Sequence, residues 1–165
     1  MYTHHYETTV EIPASAEDVF AFVDDHAKLS AHMNKRSWMM VGGRMSVQTD
    51  ARLGKAVGST IRMSGSILGL TLGLDETVIE RSPPSRKIWE TIGVPQLLVV
   101  GPYRMGVHIK PSETDCQLRV FIDYMLPASG VGRWLGKAFG RSYARWCTEK
   151  MANDSRDHFA REKGA

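Results

Sequence analysis

This sequence contains little cysteine, and it lacks both an export signal and a long apolar run. Its 165 residues include two cysteines, Cys116 and Cys147, which share no metal-ligand spacing. A chain of this length can fold around a core without a disulfide, so we expect a reducing cytoplasm as its location. The first five residues lack the basic and apolar regions of an export signal. No apolar stretch approaches the ~20 residues that cross a bilayer.

The motifs of metal, nucleotide and covalent-catalysis sites are missing as well. The six histidines show no zinc-type spacing, and no Ser, His and acid set stands in a nucleophile elbow. Gly42 and Gly43 lack the surroundings of a phosphate loop, and no dinucleotide fingerprint occurs. We therefore expect no metal and no cofactor. The net charge of +3 is a small excess, and without a nucleic-acid-binding pattern we expect no nucleic acid partner.

The last fifth of the chain, Gly130–Lys163, is predicted to form one long helix. It holds no proline and no glycine after Gly140. At ~1.5 Å per residue, some thirty helical residues would run roughly 45 Å, so the helix must lie across a whole sheet. The predicted buried stripe recurs every four residues and consists of Leu135, Phe139, Tyr143, Cys147, Met151, Ser155 and Phe159.

The predicted helix also carries a row of cations at successive turns: Arg133, Lys137, Arg141 and Arg145. Like charges at this spacing repel one another, which is tolerable where the helix meets an anionic lipid surface. The alternative is an ordinary solvated helix face. We therefore predict a peripheral contact with an anionic membrane through this row, with the solvated face as the alternative.

The rest of the chain reads as strands interrupted by two short helices. Residues 4–12 alternate with period two and end at Pro13. Ser15 is a predicted N-cap with Asp18 three residues on, and a second short helix is expected at 26–33. The predicted strands that follow are 38–41 continued by 44–49, then 59–68, 70–81, 86–92, 98–110 and 116–126.

This element order predicts a single α+β domain over residues 1–165. Successive strands joined by short turns form an antiparallel meander, which is apolar on one face only. That face needs a cover, and the terminal helix is the only predicted element large enough to provide it.

Three stretches occur in a recognisable order: residues 10–20 with Asp24, residues 78–86 ahead of Ile88 and Trp89, and the terminal helix. With these the sequence resembles the START-related, Bet v 1-like helix-grip superfamily (SRPBCC), often grouped with polyketide cyclases and dehydrases. The resemblance covers essentially the whole chain. It implies a curved antiparallel sheet of about seven strands wrapped around the long helix. Many relatives have a Trp soon after the position of Asp24, whereas here Trp38 arrives later, so the cavity mouth is expected to differ.

The resemblance also implies a deep apolar cavity between sheet and helix for a lipid, isoprenoid, polyketide or similar molecule. Such a site needs apolar walls and a few polar groups that orient the ligand. Tyr103 and Tyr124 would each offer a hydroxyl within the wall. The candidate ligand-binding residues are Met63, Leu72, Leu74, Ile88, Glu90, Tyr103, Met105, Val107, Leu118, Val120, Ile122, Tyr124, Leu135, Phe139, Tyr143 and Trp146.

Catalytic candidates are few. Glu90 has Ile88 and Ile92 as its same-face neighbours, and a carboxylate on an apolar face would be desolvated and suited to general acid or base catalysis. The alternative is that the strand twists and Glu90 reaches solvent. Asp75 and Glu76 are adjacent, so one of them points inward if the strand is regular, whereas a bulge would turn both outward.

Because no convincing catalytic pair stands out, the favoured function is binding or transport of a hydrophobic small molecule. The alternative is a polyketide cyclase or dehydratase-like enzyme that uses Glu90, Asp75 or a tyrosine in the same cavity. The sequence does not identify the ligand, because apolar cavities discriminate by shape. It leaves the oligomeric state open too.

Overall fold

Seven strands and three helices make up the described part of the protein. The structure is a computed structural model that describes residues 1–31, 44–67, 69–128 and 130–164. The elements are β1 (His4–Ile12), α1 (Ala16–Val23), α2 (His26–Leu29), β2 (Arg44–Thr49), β3 (Thr60–Ile67), β4 (Leu70–Ser82), β5 (Arg86–Gln96), β6 (Tyr103–Pro111), β7 (Cys116–Tyr124) and α3 (Gly130–Lys163). The strand predicted at 38–41 lies outside the described residues.

The strands form one antiparallel sheet in the order β1-β7-β6-β5-β4-β3-β2. The meander runs from β2 to β7, and β1 closes it by pairing with β7 along its whole length. The predicted α+β helix-grip architecture is therefore confirmed. It consists of a curved antiparallel sheet, two short helices after the first strand, and a long terminal helix at the predicted bounds.

The largest differences from the predicted strand bounds are at the end of β5 and at the start of β6. The break expected at 93–95 is an insertion within β5, because Asp75 pairs with Ile92 whereas Gly73 pairs with Gln96. Gly93 has φ +69°, a conformation that glycine adopts at little cost. β6 begins at Tyr103 rather than at residue 98, because β5 and β6 pair only over the opposite end of β5.

Strand alternation gives the sheet an apolar concave face and a polar outer face. On β4, Leu72, Leu74 and Val78 are buried at every second position. Buried residues of β6 and β7 lie opposite one another, as in the pairs Met105–Ile122 and Val107–Val120. The outer face carries cross-strand ion pairs such as Arg62–Asp75 at 2.8 Å. The apolar core therefore lies between the concave face and the helices.

Helix α3 covers the concave face, and small residues bring its first half close to the chain beneath it. It lies against β1 and β7 and contacts α1 and α2. A Cβ added to Gly136 would lie 2.8 Å from Pro127 Cδ and 3.0 Å from the Val99 carbonyl oxygen. Gly140 is equally close to that oxygen.

No helix in the described ranges is long and apolar enough to cross a membrane.

The predicted buried stripe of α3 is confirmed in its second half only. Cys147, Met151, Ser155 and Phe159 are buried as expected. In the first half the buried positions are instead Gly136, Gly140 and Ala144, so the stripe is displaced by one position. Phe139 is 55% exposed, and Leu135 and Tyr143 are only partly buried. The physical reason is the close approach at the glycines, which leaves no room for large side chains there.

Gly136→Val should lower the free energy of unfolding by about 1–3 kcal/mol, because the new side chain meets backbone and a proline ring that cannot retreat. Ala138→Val is the matched control, since Ala138 is exposed on the same helix. Chemical denaturation of both variants measures the difference. Equal losses in the two variants would contradict a close approach at Gly136.

A buried ion network holds α1 and α2 on the sheet. Asp24, the C-cap of α1, accepts a hydrogen bond of 2.9 Å from Arg81 Nη2. Lys87 Nζ lies 3.0 Å from Asp24 Oδ1 and donates to the Asp24 carbonyl at 2.7 Å. Lys87 is fully buried. Two sequence stretches that carried the family resemblance thus meet in one ion pair network.

The charges in this network compensate one another. Burial disfavours ionisation of Asp24, but the hydrogen bonds from Arg81 and the charge of Lys87 outweigh it and hold its pKa below the usual value. Burial lowers the pKa of Lys87, and the charge of Asp24 opposes that shift. Removing one partner would leave the other charge buried without compensation.

Asp24→Asn should therefore cost about 3–5 kcal/mol of stability. Because the folded pKa of Asp24 is depressed, its contribution is present above the ordinary pKa of about 4 and is lost as the pH falls through the folded value. The variant should lose less stability than the parent protein below pH ~4. Urea unfolding at several pH values measures this difference. The control is Asp75→Asn, which removes an exposed ion pair and should change stability little. A parallel pH profile in parent and Asp24→Asn would contradict the prediction.

Candidate functional site

One carboxylate interrupts the apolar concave face. Glu76 occupies an inward position of β4 between Leu74 and Val78 and is 1% exposed. Its strand partners are Ile61 on β3 and Thr91 on β5, so it lies near the middle of the sheet. A carboxylate in such surroundings requires nearby polar partners.

Tyr103 at the start of β6 supplies the first partner. Its hydroxyl donates a hydrogen bond to Glu76 Oε1. The Thr91 hydroxyl holds the Tyr103 backbone, because it accepts from Tyr103 N at 3.1 Å and donates to Tyr103 O at 3.3 Å. Burial and the charge of Glu76 raise the pKa of Tyr103 well above its usual value. The phenol therefore stays protonated and acts as a donor.

His26 in α2 supplies the second partner. The ring is 2% exposed, and its Nε2 lies 3.1 Å from Glu76 Oε2 without the alignment of a hydrogen bond. The edge-to-face ring of Trp89, with centroids 5.1 Å apart, fixes the imidazole from the sheet side. Asp25, the N-cap of α2, orients the helix by accepting from the backbone of Ala27 and Lys28.

Several buried polar atoms at this position lack hydrogen-bond partners among the described residues. They are His26 Nδ1, Glu76 Oε2 and Trp89 Nε1. Most buried polar groups in proteins are hydrogen-bonded, so orphaned atoms that lie together mark a place where another group can bind. We call His26, Glu76 and Tyr103 the interior polar cluster.

Helix α3 faces this cluster with two weakly acidic side chains. Burial raises the pKa of Cys147 to about 12, and the charge of Glu76 adds to that shift. Burial also raises the pKa of Tyr143, with Cys147 and Glu76 contributing. The thiol and the phenol are therefore neutral at physiological pH. The cluster has α3 on one side and the sheet on the other.

The arrangement is chemically versatile. A carboxylate between an imidazole and a phenol can accept a hydrogen bond from a ligand hydroxyl or share protons with both neighbours. The apolar surroundings strengthen each electrostatic contact. Among the described residues no group of three or more His, Cys, Asp and Glu could hold a metal ion.

Most of the predicted wall residues take inward, buried positions on the concave face. These residues, whose role in binding stays a prediction, are Met63, Leu72, Leu74, Tyr103, Met105, Val107, Leu118, Val120, Ile122 and Tyr124. From α3, Tyr143 and Trp146 are partly buried and pack against the core, and Leu135 is partly buried. Phe139 is exposed instead.

Ile88, Glu90 and Asp75 lie on the outer face instead. Lys87 and Trp89 take the inward positions of β5, so alternation turns Ile88 and Glu90 outward. Ile88 lies in a shallow outer groove, and Glu90 Oε2 contacts Arg104 Nε at 3.5 Å. Asp75 pairs with the exposed Arg62. The sequence argument for a desolvated carboxylate therefore applies to Glu76.

Sequence reasoning missed His26. It lies on a helix of four residues with no periodic pattern, and its partner Glu76 is fifty positions away along the chain. The signal available was the Asp75-Glu76 pair, one of whose carboxylates points inward if the strand is regular.

The seven-stranded sheet wrapped around a long helix, with its polar cluster facing the interior, defines a helix-grip protein. The family model described as "Polyketide cyclase / dehydrase and lipid transport" matches residues 3–154. The chain belongs to this family. A search of curated proteins finds no match.

Solved structures share the fold at low sequence identity. The protein TTHA0849 from Thermus thermophilus has a TM-score of 0.70 at 14% identity, covering 96% of this chain and 99% of that one. A truncated norcoclaurine synthase from Thalictrum flavum has a TM-score of 0.64 at 17% identity, covering 93% and 91%. The Zhui aromatase/cyclase from Streptomyces sp. R1128 has a TM-score of 0.62 at 13% identity, covering 92% and 93%. At these identities the likeness shows the fold alone.

Tyr103→Phe should lower the free energy of unfolding by about 1–3 kcal/mol, because the buried Glu76 carboxylate loses its hydrogen-bond donor. Tyr124→Phe is the control, since Tyr124 is a buried tyrosine of the same face for which no hydroxyl hydrogen bond is present among the described residues. Denaturant titration compares the two. If combining Tyr103→Phe with Glu76→Gln simply added the single losses, the two side chains would not be coupled.

Proposed function

We propose that this protein binds a hydrophobic small molecule between the concave face and α3, with the interior polar cluster anchoring a hydroxyl or carbonyl of the ligand. The observation that carries the proposal is Glu76, a carboxylate 1% exposed on an apolar wall, whose Oε2 lies 3.1 Å from His26 Nε2. Neither Glu76 Oε2 nor His26 Nδ1 has a hydrogen-bond partner among the described residues. A ligand polar group would satisfy these atoms, and apolar parts of the ligand would contact the wall residues.

Family membership supports binding of this kind, since the family description joins polyketide cyclases and dehydrases with lipid transport. The predicted wall residues are a second support, because nearly all of those on the sheet are buried on the concave face. Binding or transport remains the primary proposal. It requires only that the cluster form hydrogen bonds.

The second candidate is a cyclase or dehydratase-like enzyme at the same place. The observation that favours it is the contact of one carboxylate with both an imidazole and a phenol, which provides a proton acceptor and a proton donor within one site. Glu76 and His26 replace the sequence-predicted Glu90 and Asp75 as its candidate acid and base groups. Two of the solved structures that share the fold are named as enzymes, a norcoclaurine synthase and an aromatase/cyclase, which supports the enzyme candidate.

Native mass spectrometry of the purified protein, followed by denaturation, should release a co-purifying apolar compound that carries a hydroxyl or carbonyl. Glu76→Gln should lower its occupancy about tenfold or more, because a hydrogen bond to a charged group is lost. Glu90→Gln is the matched control on the outer face and should retain the compound. Equal occupancy in the two variants would remove the cluster from the binding site.

The same pair of variants separates carrier from enzyme once the compound is identified. If Glu76→Gln retains affinity but abolishes conversion of the compound, the enzyme is supported. If the parent protein returns the compound unchanged, the carrier is supported. Nile red displacement provides the affinity measurement for both variants.

A further inference from the structure

The first half of α3 exposes apolar side chains that the core does not use. Val131 is 75% exposed and Trp134 is 79% exposed, and Ala138 is exposed on the next turn. Positions 131, 134 and 138 share one helix face by their spacing. A tryptophan this exposed adds nothing to the core and points to a contact outside the chain.

The same helical segment is strongly basic. Between residues 130 and 148 the sequence holds Arg133, Lys137, Arg141 and Arg145 and no acidic residue. From 149 to 163 acidic and basic residues alternate and largely balance one another. The positive charge of α3 is therefore concentrated on the half that exposes Trp134.

Three of these cations are unpaired. Arg133, Lys137 and Arg141 are exposed and form no ion pair with any described residue, whereas Arg145 pairs with Glu149 at 2.9 Å. Lys137 and Arg141 follow Trp134 by three and seven positions, so all three share a face. We call Val131, Trp134, Lys137, Ala138 and Arg141 the α3 surface.

We propose that the α3 surface docks on an anionic lipid bilayer. Cations beside an exposed tryptophan complement a membrane interface, where an indole ring lies at the level of the headgroups and basic side chains meet anionic lipids. Gly136 and Gly140 lie against Val99 and Leu126 in the segments that flank the strands, which turns the opposite side of this half outward. Nucleic acid would use the cations but gives the aliphatic Val131 no apolar surface to contact.

This docking is independent of the ligand proposal, because the α3 surface and the interior polar cluster share no residue. Loss of the cluster should leave vesicle binding intact, and loss of the α3 surface should leave the cluster intact. The two proposals can therefore fail separately.

Co-sedimentation with vesicles tests the docking. The parent protein should bind phosphatidylcholine vesicles that contain about one third phosphatidylserine, and should not bind pure phosphatidylcholine. Lys137→Glu with Arg141→Glu should weaken binding about tenfold or more. The control is Arg156→Glu with Arg161→Glu, which changes the net charge equally on the balanced half of the helix and should bind as the parent does.

Trp134 provides the second readout. Vesicles should shift tryptophan emission to shorter wavelength in the parent, and Trp134→Phe should lose that shift while retaining part of the binding. Failure of the parent to bind phosphatidylserine vesicles would overturn the proposal, as would equal weakening by the two charge reversals. Binding to duplex DNA with no dependence on Trp134 would identify a polyanion partner and overturn it as well.

Discussion

A one-sided antiparallel sheet needs a cover, and the way α3 provides it sets the geometry of the interior. The concave face is apolar and would be unstable in water, so the helix must lie along it. The first half of α3 approaches closely through Gly136 and Gly140, and the second half packs larger side chains such as Met151 and Phe159. Tyr6 ties β1 to the second half through a 2.8 Å hydrogen bond to Glu149. The shape of the interior depends on how α3 packs.

Two groups of ionisable side chains join the short helices to the sheet. They differ in how many of their buried polar atoms have hydrogen-bond partners. Arg81 and Lys87 both pair with the carboxylate of Asp24, and these contacts connect β4 and β5 to the end of α1. His26 and Glu76 are left with unmatched atoms, although both are almost fully buried. A matched network stabilises the fold. Buried polar atoms without hydrogen-bond partners destabilise the fold unless a bound group supplies the missing partner. For this reason the proposed ligand site lies at Glu76 rather than at Asp24.

The family relationship places these observations in a common architecture. The family model matches nearly all of the chain, and solved structures share the sheet and helix at identities of 13–17%. At such identities the likeness shows the fold alone. The chemistry of this protein must therefore be read from its own residues, and these are His26, Glu76, Tyr103 and the apolar wall around them.

Local patterns in the sequence determined the element order, the bounds of α3 and the outward or inward position of most strand residues. Period-two alternation identified β7 and β1, and the cap at Ser15 was readable because it depends on neighbours three positions apart. Most predicted wall residues were found this way, since strand alternation is a local property. The inward position of Glu76 was one of two choices that the sequence left open.

Contacts between distant elements were decided only by the tertiary structure. The bulge that carries β5 past 93–95 depends on pairing with β4, and the displaced stripe of α3 depends on the chain segments beneath Gly136 and Gly140. His26 reaches Glu76 because the Asp24 network holds α2 over the sheet. No spacing rule encodes such contacts, because each joins residues whose separation along the chain has no fixed relation to their distance in space.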